Sequence, residues 1–195
     1  MSRRLLGAGL LGVAGALLPS LASSAGASAA TTTTAPPRRP DAADTELLSF
    51  GQSVELAAVA LYREVLDGKA LTEEVRPTFE SIHAAHLAFG QSFSGLLGKS
   101  APVAPLADLV AEYRSAFAGD DLVAIATAAA TLENIAVATH SEAIGLLTGT
   151  DGANIVAAII TAEARHATVL VSISGETDFD ALLVDDATPL SAEKG

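Results

Sequence analysis

Carboxylate and imidazole side chains recur at matched positions in the two halves of this chain. The stretch Glu55-Leu-Ala-Ala-Val-Ala-Leu-Tyr62 returns 78 residues later as Glu133-Asn-Ile-Ala-Val-Ala-Thr-His140. Each copy begins with a glutamate and keeps the same central Ala-Val-Ala. Glutamate oxygens and histidine nitrogens are ligands for divalent transition metals such as iron, manganese, zinc and copper. The residue types therefore point to metal coordination.

A second pair of stretches places two ligand-type residues three positions apart. His83-Ala-Ala-His86 returns 80 residues later as Glu163-Ala-Arg-His166, and a glycine follows each pair. Residues at i and i+3 project from one face of a helix, so each pair can reach a common centre. All four histidines of the chain belong to these repeated stretches, which makes the chain a doubled helical hairpin. The candidate metal ligands are Glu55, His83, His86, Glu133, Glu163 and His166.

Four long helices are predicted to position these residues. Apolar residues recur at intervals of three and four in each predicted helix and so form one apolar stripe along it. The candidate ligands lie on or beside these stripes. Asp44 is a good N-cap for the first helix, and Gly68 is a suitable stop. The predicted helices span about 44–67, 77–98 (or 72–98), 120–147 and 151–175.

The connection between the second and third helices is long. Lys99 to Pro105 interrupts the helical pattern, and Leu106 to Phe117 then forms a short amphipathic segment. The other connections are short, so helices one and two, and helices three and four, form antiparallel hairpins. The predicted fold is therefore all-α: a four-helix bundle of two antiparallel hairpins, with a long crossover that carries a short helix.

This pattern resembles the ferritin-like superfamily, and more closely the exported ferritin-like domains found in bacteria. The motif of that family is Glu followed by Glu-x-x-His, twice over, and the resemblance covers about residues 44–175. It implies iron or manganese bound at the bundle centre, with oxidase or peroxide-handling activity. It also implies that Glu55 and Glu133 are single carboxylate ligands and that Glu163 and His166 are a matched Glu-x-x-His pair.

The first half departs from the family pattern. His86 matches the ligand histidine, but His83 stands where the family has a glutamate. The chain thus offers three carboxylates and three histidines, whereas four carboxylates normally offset the charge of two metal ions. Glu80 offers an alternative register, Glu80-x-x-His83. The matching glycines, Gly95 and Gly175, favour His83 and His86.

Metal-free interpretations remain open. Tyr62 and His140 lie two turns beyond the glutamates of their helices, and we expect them to be structural or to support the ligands. Buried carboxylates and histidines can also satisfy one another, so the alternative function is a metal-free ferritin-like scaffold with a binding or cell-envelope role. Iron storage in a hollow cage is a weaker hypothesis, because nothing here resembles the additional helix of true ferritins.

The N-terminal residues predict export. Arg3 and Arg4 precede an apolar run of about fourteen residues, and small residues follow up to Ala29. This pattern is typical of a cleavable signal peptide over 1–29, and the paired arginines resemble a twin-arginine signal. The run is too short for a spanning helix, so we expect no stable membrane anchor after cleavage. The expected location is extracellular, cell wall or periplasm.

The segments flanking the helices are polar. Residues 30–43 form a Thr- and Pro-rich linker, and residues 176–195 form an acidic tail that we expect to be loose. The domain prediction is thus a signal peptide, a linker, a ferritin-like domain over 44–175 and a tail.

Composition excludes several functional classes. The 195 residues are half hydrophobic and suffice for one well-buried core. A net charge of −12 makes nucleic acid an unsuitable partner, because phosphate binding needs a basic face. Without cysteine, the chain has no disulfide, thiol nucleophile or iron–sulfur cluster. The expected partners are metal ions.

Overall fold

The computed structural model describes residues 35, 38–178 and 186–191, all of which belong to one compact unit. The predicted signal peptide, with its arginine pair, and much of the predicted linker and tail lie outside the described residues. Within them the chain forms five α-helices and no strand, so the all-α prediction is confirmed. The helices are α1 (Ala42–Asp67), α2 (Arg76–Leu97), α3 (Ala107–Phe117), α4 (Leu122–Leu146) and α5 (Thr150–Ser174).

The helix ends follow local capping chemistry. The side chain of Asp41, three residues before the predicted cap, accepts a hydrogen bond from the Asp44 N–H at 2.9 Å and begins α1. Asp121 caps α4 in the same way. The last helix ends at Gly175, whose φ of +83° is the left-handed conformation that favours glycine.

The helices pack as two antiparallel hairpins, α1 with α2 and α4 with α5. Helix α1 also contacts α4, and α2 contacts α5, while the crossover helix α3 lies against α1 and α4. The crossover is fixed to the bundle where the Leu106 N–H donates to the Ser53 carbonyl at 2.9 Å. This arrangement matches the predicted topology and brings one face of each long helix to the centre.

A hydrogen-bonded latch joins the start of α1 to the turn between α4 and α5. The buried carboxylate of Asp44 accepts from the backbone N–H of Thr148 at 2.9 Å and of Gly149 at 2.7 Å. A Cβ at Gly149 would lie 2.8 Å from Asp44 Oδ2, so only glycine allows this approach. Asp44 is therefore not the N-cap but the residue that ties the two hairpins together at one end.

The described part of the tail is docked rather than loose, contrary to expectation. The Leu190 N–H donates to Thr139 Oγ1 on α4 at 2.9 Å, and the Leu190 side chain packs against the core. An apolar side chain and a backbone donor thus hold residues 186–191 on the bundle, although the composition of the tail is acidic.

Helices α4 and α5 are long and apolar enough to cross a membrane by length and composition alone. The core helices of soluble bundles share these properties, so the feature does not by itself assign a membrane span. Both helices carry a fully buried glutamate, Glu133 on α4 and Glu163 on α5, and they pack closely on each other.

Candidate metal centre

The four long helices bring five of the six predicted site residues together in the core. Glu55 lies on α1, His86 on α2, Glu133 on α4 and Glu163 on α5, and each is at most 1% exposed. His166, one turn after Glu163, is half-buried at the edge of the group. Ionisable groups are rarely buried without partners, so the contacts among these five decide what the centre can do.

His86 lies between two carboxylates. Its Nδ1 is 2.7 Å from Glu55 Oε2, and its Nε2 is 3.0 Å from Glu133 Oε1. Burial lowers the pKa of His86, but the charges and hydrogen bonds of Glu133 and Glu55 outweigh burial and raise it well above the usual value. In the protein without metal, the imidazole is therefore protonated and donates one hydrogen bond to each glutamate.

Glu133 accepts three hydrogen bonds. Besides His86, the donors are the Tyr62 hydroxyl and His166 Nδ1, the latter at 3.1 Å. Burial raises the pKa of Glu133, but the charge of His86 and the hydrogen bonds from His166 and His86 lower it to about 2. Burial and the adjacent Glu133 charge raise the pKa of Tyr62 well above its usual range. Glu133 is therefore ionised and Tyr62 is a neutral donor.

Glu55 accepts hydrogen bonds from two histidines. His140 Nε2 donates to Glu55 Oε1 at 2.8 Å, and His86 binds the other oxygen. Burial raises the pKa of Glu55, but these hydrogen bonds and the histidine charges lower it below its usual value. His140 and Tyr62 thus both contact a candidate ligand, in agreement with the supporting role considered for them.

Glu163 is the one carboxylate of the group that receives no hydrogen bond from a histidine or a tyrosine. Both of its oxygens are buried, neither accepts a hydrogen bond from a described donor, and His140 Nε2 is 3.6 Å from Oε1. Burial, the negative charges of Glu55 and Glu133, and a side-chain hydrogen bond with Glu55 raise the pKa of Glu163 well above its usual value. The side chain therefore holds a proton unless a cation is present, and its oxygens are available as ligands.

Two groups of side chains within the centre can hold a metal ion. In one, ligand atoms of Glu55, His86 and Glu163 lie within 4.8 Å of one another, and in the other those of His86, Glu133 and His166 do so. The buried oxygens of Glu163 and the mixed oxygen and nitrogen donors fit iron or manganese. Both groups contain His86, and a neutral imidazole has only one free lone pair. His86 can therefore complete only one group at a time.

His83 lies outside both metal-ligand groups. It is 8% exposed, and its Nε2 is buried without a hydrogen-bond partner among the described residues. Burial lowers the pKa of His83, and the positive charges of Arg63 on α1 and of His86 lower it further. Glu80, the residue of the alternative register, is exposed and supplies no carboxylate to the centre.

Aromatic rings enclose the centre. Tyr62 stacks on His86 with ring centroids 5.4 Å apart, and Phe117 of the crossover helix packs edge-on against Tyr62 at 5.5 Å. On the other side, Phe93 lies 5.9 Å from the ring of His140. These rings exclude water, which strengthens every charge interaction within the centre.

A glycine makes room for His140. A Cβ at Gly51 would lie 3.2 Å from His140 Cε1 and 3.3 Å from Phe93 Cζ. These contacts are tighter than side chains normally make, so Gly51 allows the imidazole to reach Glu55. The sequence alone does not show this function of Gly51. The available signal was a glycine inside an otherwise strong helix, which usually has a packing reason.

A four-helix bundle with carboxylate and histidine side chains at its centre defines the ferritin-like class. A family model described as ferritin-like domain matches residues 43–176, and the chain belongs to this family. Comparisons with curated proteins and with solved structures find no match.

Proposed function

We propose that this chain is an exported ferritin-like protein that binds iron or manganese at the bundle centre and uses it for oxidase or peroxide-handling chemistry. The observation that carries this proposal is the fully buried Glu163, which receives no hydrogen bond from a described donor and lies beside two ionised carboxylates. Burying a third carboxyl group beside two others disfavours its ionisation and costs free energy in a purely structural core. A metal ion removes that cost.

The proposed ligands are Glu55, His86 and Glu163, while Glu133 and His166 lie at the opposite nitrogen of His86 and form the alternative group. A bound iron or manganese ion supplies Lewis acidity and one-electron redox chemistry to such a centre.

The residues around the ligands hold them in place. The Tyr62 hydroxyl and His140 Nε2–H orient the carboxylates of Glu133 and Glu55 by direct hydrogen bonds. Phe93 and Phe117 keep water away from these contacts.

We expect one metal ion per chain rather than two. The shared His86 can complete a single group, and the position of the fourth family carboxylate is occupied by His83, which lies outside both groups. Two divalent ions bring at least four positive charges, which three carboxylates do not offset.

Export is proposed from the sequence over residues 1–29. A twin-arginine route carries proteins that are already folded, so a metal acquired inside the cell stays in its site during transport. The exported protein then acts outside the cytoplasmic membrane.

Elemental analysis tests the metal proposal directly. The chain from Ala30 to Gly195, purified without chelator from cells supplied with iron and manganese, is compared with a Glu163→Ala, His166→Ala double variant. We expect about one ion per native chain and none in the variant, since a metal centre needs its buried donors. Circular dichroism confirms that the variant is folded. A native chain without metal contradicts the proposal.

A metal-free scaffold is the second candidate, because His86, His140 and His166 already bind the carboxylates directly. The variant His83→Glu separates the two functions, since it restores the glutamate of the family motif. If the centre binds metal, we expect the variant to contain more metal or to be more active. If the core is metal-free, we expect the variant only to lose stability, because it buries an additional carboxylate.

A further inference from the structure

A small pocket opens between α1 and α4 and leads toward the metal centre. Its volume is about 100 Å³, and its walls include Leu47 and Phe50 of α1 and Leu146 of α4. Such a cavity is large enough for a small molecule, since a space of about 10–15 Å³ measured in this way already holds one water.

The inner end of the pocket is the ring of His140. This residue is only 1% exposed, and its Nε2 is bonded to Glu55, so the ring separates the pocket from a proposed ligand. Gly51 also lines the pocket, and its ideal Cβ position is 3.5 Å from His140 Nδ1. The absence of a side chain at Gly51 thus leaves room for the imidazole at this wall of the pocket.

The docked tail forms a further wall of the pocket. Leu146, 60% exposed, marks the mouth and lies six residues after His140, or about 9 Å along α4. Leu190 lines the pocket as well, and its N–H is tied to Thr139 Oγ1, one residue from His140. This hydrogen bond and the packing of the Leu190 side chain involve a short segment, and such a segment can open locally without unfolding the bundle.

We propose that this pocket binds a small uncharged molecule and is the port through which that molecule approaches the centre, with Leu190 as its closing residue. An anion is repelled by the buried carboxylates and by the net charge of −12. The carboxylate of Glu142, which also lines the pocket, repels an anion as well, and any free ion loses hydration against the largely apolar walls. The role of the pocket as a route to the metal centre rests on the proposed function. The binding of a small molecule in the pocket does not.

Xenon tests the pocket in the metal-free chain, because it is uncharged and of suitable size. We expect xenon pressure to shift the NMR signals of Gly51, Thr139 and the His140 ring. The variant Leu146→Trp, which fills the mouth, is expected to abolish these shifts, and Val123→Trp, a matched exposed change on α4, is expected to keep them. Shifts that are absent from the native chain, or that persist in Leu146→Trp, overturn the proposal.

Closure by Leu190 is tested with a ring-sized probe. In metal-free His140→Ala, which opens the inner end of the pocket, neutral 4-fluoroimidazole is expected to bind, as followed by ¹⁹F NMR. Adding Leu190→Ala is expected to speed the exchange of the probe several-fold. The control Leu87→Ala, a change at an exposed leucine of α2 that does not line the pocket, is expected to leave this exchange unchanged. If the probe exchanges equally fast when Leu190→Ala or Leu87→Ala is combined with His140→Ala, Leu190 does not close the pocket. If His140→Ala does not fold, the rates of xenon exchange in the single variants Leu190→Ala and Leu87→Ala give the same comparison. No metal is involved, so failure here is distinct from failure of the metal proposal.

Discussion

Tyr62 and His140 each lie seven residues after a buried glutamate, and each donates a hydrogen bond to the glutamate of the other helix. The Tyr62 hydroxyl on α1 binds Glu133 on α4, and His140 on α4 binds Glu55 on α1. Because α1 and α4 run antiparallel, the residue two turns after the glutamate of one helix lies beside the glutamate of the other helix. The two helices are thereby cross-linked on both sides of His86.

Removing the Tyr62 hydroxyl tests the strength of this cross-link. In Tyr62→Phe, Glu133 loses one donor while the ring packing remains, and we expect a loss of about 1–3 kcal/mol in the free energy of unfolding. Chemical denaturation measures the change. Tyr113→Phe is the matched control, since Tyr113 is the other tyrosine and lies half-exposed on α3. Equal losses in the two variants would show that the Tyr62–Glu133 bond is unimportant.

Glu163→Gln is expected to abolish metal binding without destabilising the metal-free protein. Because the raised pKa keeps Glu163 neutral without metal, glutamine replaces it almost isosterically, and we expect stability to change by less than about 1 kcal/mol. Metal content and denaturant unfolding of the chelator-treated protein are measured together.

Glu55→Gln serves as the contrasting variant. Glu55 is ionised and bonded to two histidines, so removing its charge is expected to cost about 3–5 kcal/mol. If the two glutamine variants are equally stable, the assignment of a proton to Glu163 is wrong.

Metal binding at neutral pH is expected to release protons. The pKa values of His86 and Glu163 are both raised in the metal-free protein, so each group holds a proton that a metal ion must displace. Affinity therefore rises with pH until these groups are deprotonated, and falls as pH is lowered. Calorimetric titration of Mn²⁺ in buffers of different ionisation enthalpy measures the protons released. An identical heat in every buffer would exclude these two groups as ligands.

The Asp44 latch is expected to make stability depend on pH in acid. Burial raises the pKa of Asp44, but hydrogen bonds from the Thr148 and Gly149 backbone lower it below its usual 3.8. A group with a lowered pKa stabilises the fold fully above the unfolded value, and that contribution is lost as pH falls through the folded value.

The variant Asp44→Asn is therefore expected to lose about 1–2 kcal/mol at neutral pH, because the hydrogen bonds lose their charge. Its free energy of unfolding should converge with that of the native chain in strong acid. Glu46→Gln, an exposed change on the same helix, controls for the loss of one negative charge. A constant difference across the pH range would assign the effect to packing.

Gly51→Ala is expected to be destabilising although alanine favours helices. The added Cβ meets His140 and Phe93, and such overpacking costs about 1–3 kcal/mol. Gly95→Ala on α2 is the matched control, since nothing lies within 4 Å of its Cβ position. There we expect a gain of about 0.5–1 kcal/mol from helix propensity. Thermal unfolding compares both, and a stabilised Gly51→Ala would refute the packing role of this glycine.

The helices and most of the site were predictable because both depend on local periodicity. In α5, Ile159, Glu163, His166 and Leu170 follow the spacing of one helical face, and the structure buries or half-buries all four. His83 and Glu163 occupy corresponding positions of the two pairs. Spacing alone could not show that Glu163 belongs to a metal-ligand group and that His83 does not. A stripe shows which face of a helix turns inward, but it does not show which neighbouring atoms the side chain meets.

The sequence by itself determined the all-α class, the inward faces of the four long helices and the types of donor they carry, because these follow from residue periodicity and chemistry within one segment. Only the tertiary structure decided that His86 lies between Glu55 and Glu133, that Glu163 receives no hydrogen bond from a histidine or a tyrosine, and that Leu190 returns to α4. Contacts between distant segments depend on how helices pack, and the protonation of buried groups depends on those contacts.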